Sequence, residues 1–275
     1  MKIKYLGTAA AEGIPALFCT CEVCQNARKV GGKEVKTRSQ SIIDDKILID
    51  FPADTYMHAL YHGIDLPNIR TCLITHNHGD HLYTADLWCR GKGIAYGVEG
   101  TTLNMYAYEN AYEQIDTFVK EAVSDNRVAA HAITPFEPFE VEGYTVTALD
   151  ASHDKKSSPV IYWIEKEGKT LFYANDTSDF PEKTWDFLAK SGQKADLLSL
   201  DCTEMLHETT YVGHSDLRGA VKIVEHLKAI GVVTDATKVV LNHFSHNGRA
   251  THEQFAQAAA AYGFEVAYDG LTVEF

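Results

Sequence analysis

The segment from residue 75 to residue 81 carries the side chains with the clearest chemical potential. It reads Thr-His-Asn-His-Gly-Asp-His and follows a predicted strand. Side chains two residues apart in an extended chain point the same way, so His76 and His78 can bind one metal ion. Asp80 and His81 begin the next turn and can face a second ion. The competing interpretation is a polar, helix-capping loop that happens to be rich in histidine.

Three further candidate ligands follow later predicted strands: His153, Asp176 and His243. Taken singly, such a residue is more often a cap or a satisfied polar group. Strand ends on one edge of a sheet can, however, converge on one site. With the first motif they would supply seven ligands, enough for two metal ions bridged by one carboxylate.

A cysteine cluster suggests a separate metal site. Of six cysteines, Cys19, Cys21 and Cys24 lie within six residues. In a reducing compartment this spacing indicates metal ligands before disulfides. A closed zinc site needs a fourth ligand, for which His246 is the candidate. The alternative is a disulfide within the cluster.

Three more polar residues stand near these groups. His214 follows a glycine just before a predicted helix, where a surface cap is the plain interpretation. Asp50 and Asp201 end predicted strands and could orient metal-binding histidines through hydrogen bonds. A simple role in capping the fold competes with that hypothesis.

Alternating strands and helices must position these residues. Strands are predicted at Lys2–Leu6, Ser41–Ile43, Lys46–Asp50, Thr71–Thr75, Thr145–Leu149, Val160–Ile164, Thr170–Ala174, Asp196–Leu200, Lys238–Leu241, Glu265–Tyr268 and Leu271–Phe275. Helices are predicted at Ala53–Tyr61, Leu82–Trp88, Thr102–Lys120, Pro181–Ser191, Ser215–Ile230 and His252–Tyr262. We expect two sheets with helices on both outer faces.

The domain organisation is expected to be simple. No linker or repeat divides the chain, so residues 1–275 are interpreted as one domain. The segment Trp88–Asn126 is the least decided part and is interpreted as an insertion near the mouth of a pocket.

Composition limits the partners. The 275 residues include 25 basic and 38 acidic side chains, a net charge of −13, which argues against general binding to nucleic acids or anionic membranes. No apolar run approaches the ~20 residues of a membrane span, and the N-terminus lacks a secretory pattern. We therefore expect a cytoplasmic protein that binds neither DNA nor a membrane.

The order of these motifs resembles the metallo-β-lactamase superfamily in its dinuclear hydrolase form. The resemblance implies an α/β fold of αββα type, a four-layer sandwich. It also implies the distribution of the ligands: His76, His78 and His153 on one metal, Asp80, His81 and His243 on the other, with Asp176 bridging. Asp80 is thereby counted among the catalytic residues.

A narrower resemblance concerns the phosphonate-pathway cyclic-phosphate phosphodiesterases, the PhnP-like proteins. It is carried by Cys19-x-Cys21-x-x-Cys24, Gly213-His214-Ser215-Asp216-Leu217 and His243-x-Ser245-His246. In that branch the three cysteines and the second histidine hold a structural zinc. The histidine that matches His214 is placed there as general acid.

Together these patterns predict a phosphodiesterase with two divalent cations, zinc or manganese with iron as a further candidate, and one structural zinc. Two such cations can lower the pKa of a shared water so that hydroxide is available at neutral pH. An alkoxide leaving group then needs a proton, which His214 would donate. The expected substrate is a small phosphodiester such as a ribose 1,2-cyclic phosphate or a nucleoside cyclic phosphate.

Two other functions stay open at this point. A tRNA-processing nuclease shares the histidine motif, although no Gly/Pro-rich arm for RNA is visible. A non-catalytic metal-binding protein would need neither a bridging carboxylate nor His214. A homodimer is the expected oligomeric partner.

Overall fold

The computed structural model describes residues 1–123, 125–210 and 212–275. Its strands are β1 Lys2–Gly7, β2 Gln40–Ile43, β3 Ile47–Ile49, β4 Thr71–Leu73, β5 Leu103–Ala107, β6 Val128–Ala132, β7 Pro138–Val141, β8 Tyr144–Asp150, β9 Val160–Lys166, β10 Lys169–Ala174, β11 Leu197–Asp201, β12 Lys238–Asn242, β13 Glu265–Val266 and β14 Thr272–Glu274. Its helices are α1 Glu22–Val30, α2 Thr55–His62, α3 Glu109–Ala122, α4 Glu182–Ser191, α5 Leu217–Ala229 and α6 His252–Ala260.

The strands form two seven-stranded sheets of matching design. The first has the order β14-β1-β2-β3-β4-β5-β6, and the second β13-β12-β11-β10-β9-β8-β7. Each sheet has three adjacent antiparallel pairs at one end and three adjacent parallel pairs at the other. The carboxyl ends of β1, β3 and β4 therefore share one edge of the first sheet. The carboxyl ends of β8, β10, β11 and β12 share one edge of the second.

The alternation of apolar residues builds the layers. On β3, Ile47 and Ile49 face the core between the sheets, whereas Leu48 faces a second apolar cluster on the outer side. Helix α3 covers that outer cluster through Ala111 and Ile115. Helices α4, α5 and α6 pack against the second sheet through buried apolar side chains. The expected four-layer αββα sandwich is confirmed.

Most predicted elements lie within a few residues of their observed bounds, but the region before residue 132 needs correction. The predicted helix Thr102–Lys120 is wrong in its first part, because residues 103–107 form β5 between β4 and β6. The segment Trp88–Asn126 is therefore not an insertion: β5 and α3 belong to the first sheet and its covering layer. The predicted helix Leu82–Trp88 is a 3₁₀ helix over Thr84–Arg90.

Three elements were not predicted at all: α1, β6 and β7. Helix α1 overlaps the cysteine cluster and has a short apolar face, with Cys24 and Ala27 as its buried residues, so its helical periodicity is weak. Strand β6 is a mixed run, Val-Ala-Ala-His-Ala, that owes its conformation to pairing with β5. Among the described residues, no helix is both long and apolar enough to cross a bilayer.

Truncating one aromatic of the core should measure how strongly the second sheet depends on its packing. Phe172 on β10 is fully buried, with ring centroids 5.4 Å from those of Trp163 and Phe180. We expect Phe172→Ala to lower the free energy of unfolding by about 3–5 kcal/mol, and Phe172→Leu to cost clearly less. Urea denaturation of both variants would check this, and equal costs for the two substitutions would contradict it.

Candidate metal centres

The candidate ligands meet where the two sheets bring their strand ends together. His76, His78, Asp80 and His81 lie on the loop that follows β4 in the first sheet. His153, Asp176 and His243 follow β8, β10 and β12 in the second sheet. Because each sheet presents these carboxyl ends at the same edge, one loop of the first sheet faces three loops of the second. The geometry thus joins residues up to 167 positions apart, from His76 to His243.

A left-handed backbone turns three of the site residues out of their strands. Asp50, Asp176 and His243 have φ angles of 68°, 50° and 64°, in the region that few residues other than glycine adopt. Each of them follows the end of a strand by one or two residues. Such conformations cost free energy and persist only where the surroundings enforce them, which is common at functional sites.

The first group of nitrogen atoms belongs to His76, His78 and His153. His78 Nδ1 lies 3.0 Å from His76 Nε2 and 3.2 Å from His153 Nε2. Two atoms that bind one zinc ion tetrahedrally at about 2.0–2.1 Å lie about 3.3 Å apart. The spacing of these three nitrogens therefore fits one cation.

The second group comprises Asp80, His81 and His243, with Asp176 between the groups. His81 Nε2 lies 3.2 Å from Asp80 Oδ2 and 2.9 Å from Asp176 Oδ2. His243 Nε2 lies 3.1 Å from the same Asp176 oxygen. The other carboxylate oxygen, Asp176 Oδ1, is 3.8 Å from His153 Nε2. Asp176 thus turns one oxygen toward each group, as a bridging ligand would.

The centre of this arrangement contains buried polar atoms that lack hydrogen bonds. Within the described part of the chain, His81 Nε2, His243 Nε2 and Asp176 Oδ2 make none of acceptable geometry. Buried polar groups are nearly always satisfied, so three converging exceptions call for an explanation. Imidazole nitrogens and a carboxylate are suitable donors for zinc, manganese or iron, so the residues fit a bound divalent cation.

Two buried carboxylates contact candidate ligand histidines at Nδ1, the ring nitrogen that does not face the site. Asp50 Oδ2 lies 2.7 Å from His81 Nδ1, while Thr75 donates to Asp50 Oδ1 through its amide and its hydroxyl. Asp201 Oδ2 is 3.5 Å from His243 Nδ1, and Thr203 Oγ1 is 2.8 Å from the same nitrogen. Such contacts hold the proton on Nδ1 and direct Nε2 into the site.

His214 lies at the edge of the same site. Its Nδ1 is 3.2 Å from Asp201 Oδ2 and 3.1 Å from Thr203 Oγ1. The ring lies tilted by 53° against that of His153, with centroids 4.8 Å apart. Asp201 therefore contacts both a candidate ligand, His243, and the candidate acid, His214.

Electrostatics keeps His76 and Asp176 in the protonation states that bind a metal, whereas neighbouring carboxylates outweigh burial and raise the pKa of both His81 and His243. Burial, reinforced by the neighbouring His81, lowers the pKa of His76 well below its usual range. Burial alone would raise the pKa of Asp176, but the adjacent His243 and His81 lower it well below its usual range. Burial also opposes the charged form of His214, yet the Asp201 carboxylate outweighs it and raises the pKa of His214. Neutral His76 and ionised Asp176 are the forms that ligate cations.

A cavity of about 290 Å³ opens over these groups. The part of its wall that belongs to the two ligand groups comprises His78, Asp80, His153, Asp176 and His243. His214 also lines a second cavity, of about 380 Å³, whose other walls include Ser178, Thr209 and Lys222. His214 is therefore common to the walls of both cavities.

The four residues predicted for a structural zinc also come together. His246 Nδ1 lies 3.6 Å from Cys19 Sγ and 3.5 Å from Cys21 Sγ. A tetrahedral zinc with Zn–S of about 2.3 Å and Zn–N of about 2.05 Å would separate sulfur and nitrogen by about 3.6 Å. Cys24 Sγ completes the group, and all six cysteines are free thiols. The disulfide alternative is thus not what the structure shows.

The thiols differ in acidity. For Cys21, burial raises the pKa, but the Cys24 amide and the neighbouring Cys19 and His246 side chains stabilise the thiolate, and the pKa falls to about 6. Burial raises the pKa of Cys24 to about 11. A zinc ion would bind all three sulfurs as thiolates, so its binding would displace a proton from Cys24.

Sequence reasoning singled out the candidate ligands that the structure brings together, but it missed the residues that contact them. Thr75 and Thr203 secure the two orienting carboxylates, and Asp154 Oδ2 lies 3.5 Å from His78 Nε2. Thr75 and Asp154 directly adjoin ligands in the chain, which is the only sequence signal they offer. Thr203 lies 40 positions from His243, and no spacing would reveal that contact.

Comparisons with known proteins agree with this geometry. Residues 46–244 match the family model described as a beta-lactamase superfamily domain. Coenzyme PQQ synthesis protein B of Klebsiella pneumoniae subsp. pneumoniae is 26% identical over 309 aligned residues, which cover 99% of this chain and 98% of that protein. Ribonuclease Z of Pyrococcus furiosus is 28% identical over 130 residues, which cover 44% of this chain and 38% of that protein. The crystal structure of a new diphosphatase from the PhnP family superposes with a TM-score of 0.74 at 25% identity, covering 100% of this chain and 98% of that one.

Removing one thiolate should separate the cysteine site from the histidine site. We expect Cys21→Ser to lower the zinc content of the purified protein by about one ion per chain, because serine is a poor zinc ligand. Elemental analysis measures this directly. The matched control is Cys89→Ser, which alters an exposed cysteine outside the cluster. Equal zinc contents in the two variants would contradict a zinc site at the cluster.

Proposed function

This chain belongs to the beta-lactamase superfamily, and from that premise we propose that it is a metal-dependent hydrolase that cleaves small phosphodiesters. The observation that carries the proposal is the position of His214, held by Asp201 at the border between the ligand-lined cavity and a second cavity. A hydrolase with a good leaving group would not need a histidine there. The similarity to a diphosphatase from the PhnP family and to a ribonuclease supports phosphoryl chemistry.

The ligands would hold two divalent cations, with Asp176 between them. When bound, such cations supply a nucleophile of lowered pKa and neutralise charge on phosphate oxygens. His76, His78 and His153 would hold one ion, and Asp80, His81 and His243 the other. These assignments, like the choice between zinc, manganese and iron, are part of the proposal.

His214 would donate a proton to the departing alkoxide oxygen. Its Nδ1 is turned to Asp201, so Nε2 is the nitrogen that would carry that proton to the substrate. The Asp201 carboxylate stabilises the protonated ring, which keeps a proton available near neutral pH. The leaving alcohol would then depart into the cavity of about 380 Å³ that His214 also lines.

The walls of the ligand-lined cavity favour a small substrate over a long RNA. Glu12 and Glu204 line it, and its described lining residues include no lysine or arginine. A polynucleotide would contact many phosphates and would need basic side chains to neutralise them. Partial sequence similarity supports the tRNA-nuclease alternative. The acidic wall of this cavity does not support it.

A step in coenzyme PQQ synthesis is the second candidate, because the similarity to PQQ synthesis protein B extends over almost the whole chain. A purely metal-binding role is the third, and His214 with its carboxylate would have no purpose in it. Turnover of a phosphodiester distinguishes the first candidate from both.

The first test is turnover of bis(p-nitrophenyl) phosphate by the metal-loaded protein. We expect hydrolysis with zinc or manganese, and none above background for His76→Ala, because that variant loses a buried ligand. Release of p-nitrophenol measures the rate, and circular dichroism verifies that the variant folds. No turnover with any divalent cation would refute the proposal.

The role of His214 predicts a dependence on the leaving group. His214→Ala should slow hydrolysis of an alkyl phosphodiester by about 10²–10⁴-fold but affect a p-nitrophenyl ester much less, because nitrophenolate leaves without a proton. Rates for both esters in both proteins give the comparison. If the variant slows the two esters equally, His214 is not the general acid.

A further inference from the structure

Glu12 lies between the histidine and carboxylate site and the cysteine site. It belongs to the loop from β1 to α1, which turns at Gly13, where φ is 70° and the amide donates to Ala10 O. The loop is fastened to the segment after β12: Ala10 N donates to Phe244 O over 2.9 Å, and Phe244 N donates to Thr8 O over 2.8 Å. That segment carries both His243 and His246.

On one side, the Glu12 carboxylate contacts the cysteine site. Its Oε1 accepts a hydrogen bond from Ser245 Oγ and lies 3.7 Å from His246 Nε2. His246 turns its other nitrogen, Nδ1, toward the thiols of Cys19 and Cys21. A histidine that ligates through Nδ1 keeps its proton on Nε2, where a carboxylate can orient the ring.

On its other side, Glu12 lines the cavity that contains Asp80, Asp176 and His214. Its side chain is 31% exposed, so the carboxylate is neither sealed off nor freely solvated. Glu204 and Asn247 line the same cavity. These groups accept hydrogen bonds and, in the case of the carboxylates, repel additional negative charge.

We propose that Glu12 determines specificity by accepting hydrogen bonds from hydroxyl groups of the alcohol that stays on phosphorus, and that the Cys19, Cys21, Cys24 and His246 cluster fixes its position. The inference rests on the proposed phosphodiesterase function. The substrate class is then a phosphodiester of a sugar or polyol with free hydroxyls and no second phosphate near Glu12.

A matched pair of substrates tests this. Adenosine 5′-(p-nitrophenyl) phosphate has a free 2′,3′-diol, and its 2′,3′-O-isopropylidene derivative has the diol blocked while the leaving group is unchanged. In the wild-type protein we expect the KM of the blocked ester to be about tenfold higher at similar kcat, the effect of a hydrogen bond to a charged group.

In Glu12→Gln that KM ratio should fall below about threefold. Glu22→Gln is the matched control: it removes an equal charge from the exposed first turn of α1, outside the cavity lining, and should keep the wild-type ratio. Glu12→Asp, which keeps the charge but shortens the side chain, should give an intermediate ratio and serves if Glu12→Gln does not fold.

Cysteine variants test whether the cysteine cluster fixes the position of Glu12. Cys21→Ser should reduce the KM ratio as Glu12→Gln does, while Cys89→Ser should not. Elemental analysis should show that Glu12→Gln retains the zinc that Cys21→Ser loses. A KM ratio near one in the wild-type protein would overturn the inference. A ratio that Glu12→Gln leaves unchanged would also overturn it, because blocking the diol would then act only by steric hindrance.

Binding without turnover separates this inference from the proposed function. Calorimetry should show that the wild-type protein binds adenosine 5′-monophosphate about tenfold more tightly than its isopropylidene derivative, and that Glu12→Gln loses this preference. If bis(p-nitrophenyl) phosphate is not hydrolysed, the proposed function fails, and calorimetry still decides the role of Glu12. If it is hydrolysed and the preference is absent, only the role of Glu12 fails.

Discussion

The structure depends on one demanding contact: a buried carboxylate oxygen, Asp176 Oδ2, lies about 3 Å from two imidazole nitrogens without a hydrogen bond to either. Burying polar atoms in this way is costly unless something compensates them. A divalent cation would compensate all three atoms at once, since such an ion binds carboxylate and neutral imidazole together. The positions of Asp50 and Asp201, behind the two imidazoles, reinforce that arrangement.

The fold satisfies this contact by joining two similar halves. The first sheet contributes four ligands on one loop, and the second contributes three on separate loops, so neither half forms the site alone. The left-handed turns at Asp50, Asp176 and His243 redirect side chains that a continued strand would have aimed elsewhere. Packing between the sheets therefore supplies the free energy that holds these strained residues in place. The cysteine cluster joins the loop after β1 to the segment after β12, and Glu12 of that loop lines the cavity.

The sequence was informative where chemistry is local. The motif from residue 75 to 81 and the cysteine cluster could be read from spacing alone, and the four-layer fold followed from the order of the elements and a family resemblance. Only the first part of the helix predicted over 102–120 was wrong, because β5 is held by pairing with β4 and β6, which a local pattern does not reveal. Thr203 and the left-handed turns were invisible for the same reason: tertiary contacts, such as that between Thr203 and His243, fix them. The single-domain organisation and the homodimer stay predictions.

The central proposal is that the two groups of candidate ligands would hold a pair of cations joined through Asp176, and electron paramagnetic resonance of the protein loaded with two equivalents of Mn²⁺ tests it most directly. A bridged pair is exchange-coupled and gives a multiline spectrum with half the hyperfine spacing of a single ion. We predict that spectrum for the wild-type protein and its loss in Asp176→Ala. A spectrum of isolated Mn²⁺ ions in the wild-type protein at full occupancy would contradict the account.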